Sequence, residues 1–508
     1  MAQISVNNIT FGYEGSFDEV FTNVSFSIDT NWKLGFIGRN GKGKTTFLHL
    51  LMGKYDFTGT IGTSTKFDYF PYEIADDQKE KCIAEFMEDL KPGCEMWRVV
   101  CELEKLSENA EILYKPYHIL SPGERTKALL AILFSQENEF LLIDEPTNHL
   151  DKNARECVKS YLVGKKGFIL VSHDRDLLDA CTDHCLVLNR TGIEVQNGNF
   201  SVWWENKQKK DKFAMTENEK HRKEIQKLTR SAKQVSDWAD KNERRKIGFD
   251  PTKEHDRQKN TRSYIGSKTK KMQSQVKQME QRAKREIEEK EGLLQDIENP
   301  KDLKLTQLSH HKKVFVNAEK YGLKYNGSEK FVFEGMNFQI EKGDRVVLSG
   351  KNGSGKTTLI KSILQKCDPD RVTIDIVEKG SCEVAKELVV SYIGQETAGL
   401  KGNIVDYCEK YHLDRSLFCT ILRQLDFERD QFWKNIEHYS EGQKKKVLLA
   451  TSLATPAHLY IWDEPLNYID IFSRIQIENL ILEYEPTLLF VEHDRKFCDK
   501  IATKIIEL

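Results

Sequence analysis

The stretch GRNGKGKTT at residues 38–46 returns as GKNGSGKTT at 350–358, and three more stretches return after it in the same order. LSPGERTKALLA (120–131) is echoed by YSEGQKKKVLLA (439–450), FLLIDEPTNHLD (140–151) by LYIWDEPLNYID (459–470), and FILVSHDRD (168–176) by LLFVEHDRK (488–496). A repeat offset by more than 300 residues is one domain architecture written twice, from about 1 to 200 and from about 312 to 508. The length agrees, since 508 residues exceed what one ordinary core accommodates. Each copy alternates short apolar strands with amphipathic helices, which implies an α/β fold around a largely parallel sheet. WKLGFIG and DRVVLSG read as strands ending in a glycine-rich turn. FLLID and LYIWD read as buried strands that end on a carboxylate, where a parallel sheet opens onto a ligand site.

Both copies fit GxxxxGK[ST], a loop whose glycines turn backbone N–H groups toward phosphates. The first is Gly38, Asn40, Gly41, Gly43, Lys44, Thr45 and Thr46; the second is Gly350, Asn352, Gly353, Gly355, Lys356, Thr357 and Thr358. The lysines reach the β and γ phosphates of ATP, and Thr45 and Thr357 supply hydroxyls to Mg²⁺. Asp144 and Asp463 are expected to hold that ion through its water shell, as a hard divalent cation prefers. Glu145 and Glu464 then stand where an attacking water is polarised, a general-base role worth about 10² to 10⁴ in rate. His173 and His493, each followed by Asp-Arg, are read as contacts to the γ-phosphate or to that water, the alternative being structural histidines. Cys181, His184 and Cys185 are neighbours, but no second ligand pair follows, so they read as one helical turn and not a zinc site.

The phosphate loops, the Ser-x-Gly-[Glu/Gln] signatures, the Asp-Glu-Pro boxes with Asn-x-x-Asp, and the Ser/Glu-His-Asp-Arg switches together resemble the ATPase domains of the ATP-binding cassette superfamily, over some 400 of the 508 residues. The resemblance implies two cassettes facing head to tail, each ATP being enclosed by one phosphate loop and the other cassette's signature. Lys44 would then share a nucleotide with Ser440, Gly442 and Gln443, and Lys356 with Ser121 and Gly123. Tyr13 and Tyr325, each 25 residues before its loop's first glycine, would stack on adenine, the alternative being a strand-edge core tyrosine. Where the family places a glutamine on magnesium, the second copy has Gln395 and the first has Tyr72; the first signature also has Pro122 in place of a glycine. Both sites are expected to hydrolyse ATP, at unequal rates.

Between the copies the charge changes. Residues 201–290 hold 26 Lys or Arg against 15 Asp or Glu, while the rest of the chain is acidic. Ile225, Leu228, Ala232, Val235 and Ala239, and then Met272, Val276, Met279, Ala283 and Ile287, follow coiled-coil spacing. The expected linker is therefore a helical hairpin over 201–311, with a first arm of about 60 Å and a basic tip at 243–271. The tip carries Arg244, Arg245, Lys246, Lys253, Arg257, Lys259 and Arg262 with Phe249 and Tyr264, a mixture suited to phosphate backbones and splayed bases of structured RNA; the alternative is a solvated loop.

Tandem cassettes around a charged helical linker resemble the ABC-F class of translation factors. The short 73–119 region, the long linker, DEPLNYID and an expected lack of a C-terminal extension are similar to its antibiotic-resistance members of the Lsa type. That resemblance implies a partner in the bacterial 70S ribosome, binding at the E site with the linker toward 23S rRNA, P-site tRNA and the pocket for lincosamides, pleuromutilins and group A streptogramins. Alternatives are a housekeeping ABC-F factor and the ATPase subunit of an exporter. No apolar run of about 18 residues is present, so no membrane partner is expected, and the reading is a cytoplasmic monomer whose cassettes pair within the chain.

Overall fold

The computed structural model describes residues 3–14, 19–136, 139–148, 150–189, 192–247, 303–369, 372–397 and 399–508, with seven isolated positions between 274 and 285. Its contacts divide the chain into two compact units, Met1–Trp203 with Pro300–Leu508, and Trp204–Asn299.

The first unit carries both copies, built on one plan. The first copy has β1 (Gln3–Phe11), β2 (Phe21–Asp29), β3 (Lys33–Ile37), β4 (Thr58–Gly62), β5 (Lys66–Phe70), β6 (Glu139–Asp144), β7 (Phe168–Val171), β8 (His184–Leu188) and β9 (Ile193–Asn197). The second has β10 (Val314–Tyr325), β11 (Phe333–Glu341), β12 (Arg345–Ser349), β13 (Ile376–Val384), β14 (Val390–Ile393), β15 (Leu459–Asp463), β16 (Leu488–Val491) and β17 (Lys504–Glu507). Each copy pairs a three-stranded antiparallel sheet, β2-β1-β4 or β11-β10-β13, with a larger sheet ordered β5-β6-β7-β3-β8-β9 or β14-β15-β16-β12-β17. The larger sheets are parallel except for β9, which runs against β8. Parallel strands β3, β6 and β7 end at one edge, so the phosphate loop, the Asp-Glu box and the histidine loop meet there, and β12, β15 and β16 do the same.

The central strands are buried on both faces, which is why they read as continuous apolar runs. In the first copy Phe47 and Leu48 of the helix Lys44–Leu51 pack fully buried on Phe36, Leu142 and Ile169. Burial of such a side chain contributes about 1.5–3 kcal/mol. In the second copy Leu359, Ile360 and Ile363 cover one face of the sheet, and Trp462, Phe490 and Phe418 fill the other. Each phosphate-loop helix starts at a left-handed glycine, Gly43 (φ 101°) or Gly355 (φ 97°). A Cβ on Gly43 would sit 2.7 Å from Val20, so only glycine fits this close approach.

The second unit is described chiefly by the helix Phe200–Ile247, 48 residues and about 70 Å at ~1.5 Å per residue. Its less exposed positions include Asp211, Ala214, Asn218, His221, Ile225 and Leu228, a three-four spacing that extends the expected stripe toward the N-terminus. Arg244, Arg245 and Lys246 fall in its last turns. Phe249, Lys253, Arg257, Lys259, Arg262 and Tyr264, and the second apolar series from Met272, lie outside the described residues. Among the described residues, no helix is long and apolar enough to cross a membrane.

Candidate nucleotide sites

In the first copy, Lys44 is almost fully buried, and its Nζ donates to the carbonyls of Gly38 (2.8 Å) and Arg39 (3.2 Å) and to Asn40 Oδ1 (3.3 Å). This holds the loop curled around the ammonium. Thr45 Oγ1 donates to Asp144 Oδ2 at 2.7 Å, and the Tyr69 hydroxyl donates to the same oxygen at 3.2 Å. Burial raises the Asp144 carboxyl above its ordinary value. Glu145 sits in a left-handed backbone conformation (φ 51°), and burial plus the Asp144 charge push its carboxyl up to about 8. Its Oε1 lies 3.4 Å from His173 Nε2 and makes no hydrogen bond. Burial, reinforced by Lys44 and Arg474, holds the His173 imidazole well below its usual value and therefore neutral.

The second copy repeats the arrangement with more donors. Thr357 Oγ1 donates to Asp463 Oδ2 at 2.8 Å, and Lys356 Nζ donates to the carbonyls of Gly350 (2.9 Å) and Lys351 (2.8 Å). Gln395 Nε2 reaches Asp463 Oδ1 (3.2 Å) and Glu464 Oε1 (2.9 Å), while Asn467 Nδ2 donates to Glu464 Oε2 at 2.7 Å. His493 Nε2 is 3.5 Å from Glu464 Oε1. Burial pushes Asp463 up to about 6. Burial also opposes ionisation of Glu464, but His493, Lys445 and Asn467 outweigh it and hold that carboxyl below its ordinary value. Glu464 has the same left-handed backbone as Glu145 (φ 50°), a strained conformation shared by the two carboxylates.

Both signature serines cap helices. Ser121 Oγ accepts from Glu124 N ahead of Pro122–Leu133, and Ser440 Oγ accepts from Gln443 N ahead of Glu441–Ala454, each within a reciprocal capping box. Such helix N-termini suit an anionic phosphate. A Cβ on Gly442 would lie 3.5 Å from Asn40 Nδ2, so the second signature abuts the first phosphate loop. Pro122 and Arg155 of the first copy line a cavity of about 720 Å³ with Tyr325, Lys356, Glu464 and His493 of the second. That is a nucleotide-sized volume.

The two sites differ in how the opposite cassette closes them. Asn40 Nδ2 donates to the Tyr468 carbonyl at 2.7 Å, Lys42 pairs with Glu428 at 2.7 Å, and Arg39 pairs with Asp426 while lying 5.6 Å from the Phe472 ring. Nearby, Arg175 pairs with Glu478, which is fully buried and also held by Lys500 at 3.0 Å. Asp494 joins this cluster, 3.1 Å from Arg474 and 3.8 Å from Arg175. The motif counterpart of Arg175 is Arg495, whose pair is its own exposed Asp499. Lys159, in the place of Glu478, pairs with Glu156 and Asp176 of its own cassette.

The structure thus brings every expected phosphate-loop, carboxylate and histidine residue to one edge of its sheet. Tyr13 and Tyr325 are 44% and 48% exposed, and their hydroxyls bond Thr46 Oγ1 (2.6 Å) and Thr358 Oγ1 (2.8 Å). Neither is a core tyrosine. Tyr72, which stands where the second copy has Gln395, makes no such contact with the first site's carboxylates. Its hydroxyl donates to Asp68 Oδ2 at 2.6 Å, because Asp68 is anchored by the buried Lys91 at 2.9 Å, and the neighbouring Tyr69 contacts Asp144 instead. Cys181, His184 and Cys185 do not form the expected helical turn, since Cys181 ends the helix Arg175–Cys181 and His184 and Cys185 start β8; both cysteines are buried and His184 stacks on Trp32. No cluster suited to a metal through His, Cys, Asp or Glu alone occurs among the described residues. Sequence reasoning missed Tyr69, Asn467, Lys445 and the Arg175–Glu478 pair. The signatures announced that the cassettes meet, and the NYID departure, which contains Tyr468, could have marked the contact to Asn40.

The ABC transporter family model matches residues 21–148 and 333–467, about half of the chain. The ribosome protection protein VmlR of Bacillus subtilis is 28% identical over 98% of this chain and 85% of its own length. The erythromycin resistance ATP-binding protein MsrA of Staphylococcus epidermidis is 27% identical over 94% of this chain and 92% of its own. Among solved structures, an archaeal ribosome recycling factor, aABCE1, in complex with the stalk protein aP1 superimposes with a TM-score of 0.60 at 17% identity, over 98% of this chain and 87% of that one, a likeness of fold. With its two complete phosphate sites, this chain belongs to the ABC transporter family as an ABC-F ATPase, a protein that binds and hydrolyses ATP.

Proposed function

We propose that the protein is an ATP-gated ribosome-protection factor. The carrying observation is full-length similarity to a ribosome protection protein, over 98% of this chain and 85% of that one, with both cassettes complete. Similarity to an erythromycin resistance protein over 94% of the chain supports the same reading. ATP closes the two cassettes because phosphate contacts from one copy and signature contacts from the other exist together only when they are closed. The closed form fits the bacterial ribosome at its E site, with the basic tip directed toward the drug pocket and P-site tRNA. Glu145 and Glu464 polarise the attacking water, and hydrolysis reopens the cassettes. Lincosamides, pleuromutilins and group A streptogramins are the drugs relieved.

Magnesium fits the residues present. Thr45 with Asp144, and Thr357 with Asp463 and Gln395, are oxygen donors suited to a hard divalent cation. Burial raises the carboxyls of Asp144 and Asp463, and a divalent cation held by them would lower both. The ion would neutralise charge on the leaving phosphates.

Expression in a drug-sensitive bacterial host tests the reading. Resistance to a lincosamide or pleuromutilin should rise at least about fourfold, and Glu145→Gln with Glu464→Gln should abolish the rise. Unchanged susceptibility to all three classes would remove the protection reading and favour a housekeeping ABC-F role.

A further inference from the structure

Lys445 lies in the second turn of the signature helix Glu441–Ala454 and is only 3% exposed. Its Nζ donates to the carbonyl of Gly394 at 3.1 Å and to that of Glu464 at 3.4 Å. Among the described residues no carboxylate pairs with it directly, so its desolvation is opposed by these carbonyls and by the field of Glu464, Asp463, Glu492 and Glu441. Such burial is expensive for an ammonium and needs a reason at this position. The two carbonyls supply one, since Gly394 precedes Gln395 and Glu464 is the carboxylate beside Asp463. The corresponding residue of the first signature helix is Thr126, too short to span the same gap.

We propose that Lys445 is a positioning residue for the Lys356 site, pinning the Gln395 loop and the Glu464 backbone to one ammonium so that the Gln395 amide and the Glu464 carboxylate keep a fixed register. Gln395 donates to both Asp463 and Glu464, so its amide must turn for its oxygen to face a cation. A pinned backbone allows that rotation without moving the loop. Glu464 is held from both ends, its carboxylate by Gln395 and Asn467 and its carbonyl by Lys445. The first site lacks the pin, and there Tyr72 turns to Asp68 instead. The inference rests on the reading of Glu464 as the water-polarising carboxylate.

The test is made in full-length protein carrying Glu145→Gln, so that turnover reports the Lys356 site. Lys445→Met should lower kcat about tenfold to a hundredfold, the usual cost of a misplaced reacting group. KM for ATP and magnesium-free binding of a fluorescent ATP analogue should stay within about threefold. Lys445→Arg should recover most of the loss, and Lys445→Gln, which can serve one carbonyl and keeps the variant testable if Met does not fold, should fall between. In the reciprocal Glu464→Gln background, Thr126→Val should leave turnover unchanged. Unchanged kcat in any folded Lys445→Met or Lys445→Gln protein overturns the proposal, as does a loss that tracks melting temperature and appears equally in KM. If Glu464→Gln added to Glu145→Gln leaves turnover intact, the underlying assignment of Glu464 fails, which is distinguishable from failure of the lysine's role.

Discussion

The Lys44 site and the Lys356 site carry the same motifs and are finished by different means. At the first, the opposite cassette reaches in, with the Tyr468 carbonyl on Asn40, Asp426 on Arg39, Glu428 on Lys42 and the buried Glu478 on Arg175. At the second, support comes from within, with Gln395, Asn467 and Lys445 on Glu464, while the opposite cassette contributes Pro122 and Arg155 to the wall of a cavity. The difference teaches that duplication preserved the residues that meet the nucleotide and released those that hold the two copies together. We propose unequal turnover on this ground, since one site depends on contacts between cassettes and the other on its own strands and helices.

The largest break in the comparison is expected at the buried cluster. Arg175→Ala takes one cation from the buried Glu478 and Asp494 and should cost about 3 kcal/mol, whereas Arg495→Ala removes an exposed pair and should cost at most about 1 kcal/mol. Thermal unfolding of the two variants checks this, and equal shifts would make the one-sided cluster irrelevant. A smaller difference separates the signature glycines. A Cβ on Gly442 would lie 2.7 Å from the Tyr468 carbonyl, while one on Gly123 would meet Ala154 at an ordinary 3.8 Å. Without nucleotide, Gly442→Ala should therefore cost about 1–3 kcal/mol by overpacking and Gly123→Ala at most about 0.5 kcal/mol, read by melting temperature.

The smallest effect is in pH. Burial works against ionisation of Asp494, but Arg474 and Arg175 overcome it and hold its carboxyl below the ordinary value. The counterpart Asp174 is raised, by burial and by the Asp494 charge, with Arg155 3.6 Å away opposing. The signs are opposite. Asp494 contributes stability fully present above its unfolded value of about 4 and lost as pH falls through its lowered folded value. Asp174 costs stability above its raised folded value, and the cost is relieved as pH falls. Asp494→Asn should flatten the acid side of a plot of melting temperature against pH, and Asp174→Asn, which keeps the helix cap, should raise the melting temperature near neutrality. The same response from both would contradict the asymmetry.

The sequence made the nucleotide-facing half of each site legible because ATP dictates it. Lys44 and Lys356, Asp144 and Asp463, and Glu145 and Glu464 recur since phosphates, a cation and a water fix their chemistry, and strand periodicity placed them at one sheet edge. The joining half was not legible. Glu478 stands where the first copy has Lys159, and its partner Arg175 is 303 residues away, so no local pattern announces the pair. Tyr72 was legible only as a departure from the glutamine; where its side chain goes is set by Asp68 and the buried Lys91. In the linker, heptad spacing revealed the helix Phe200–Ile247, and charge marked the tip without a code that names its target.

Co-sedimentation of the Glu145→Gln, Glu464→Gln protein with 70S ribosomes through sucrose, at stated salt, with and without ATP and a lincosamide, tests the central claim most directly. ATP should carry the variant into the ribosomal fraction, and bound lincosamide should fall as it does so. A variant that stays at the top of the gradient with ATP present would contradict the ribosome as partner and the clamp with it.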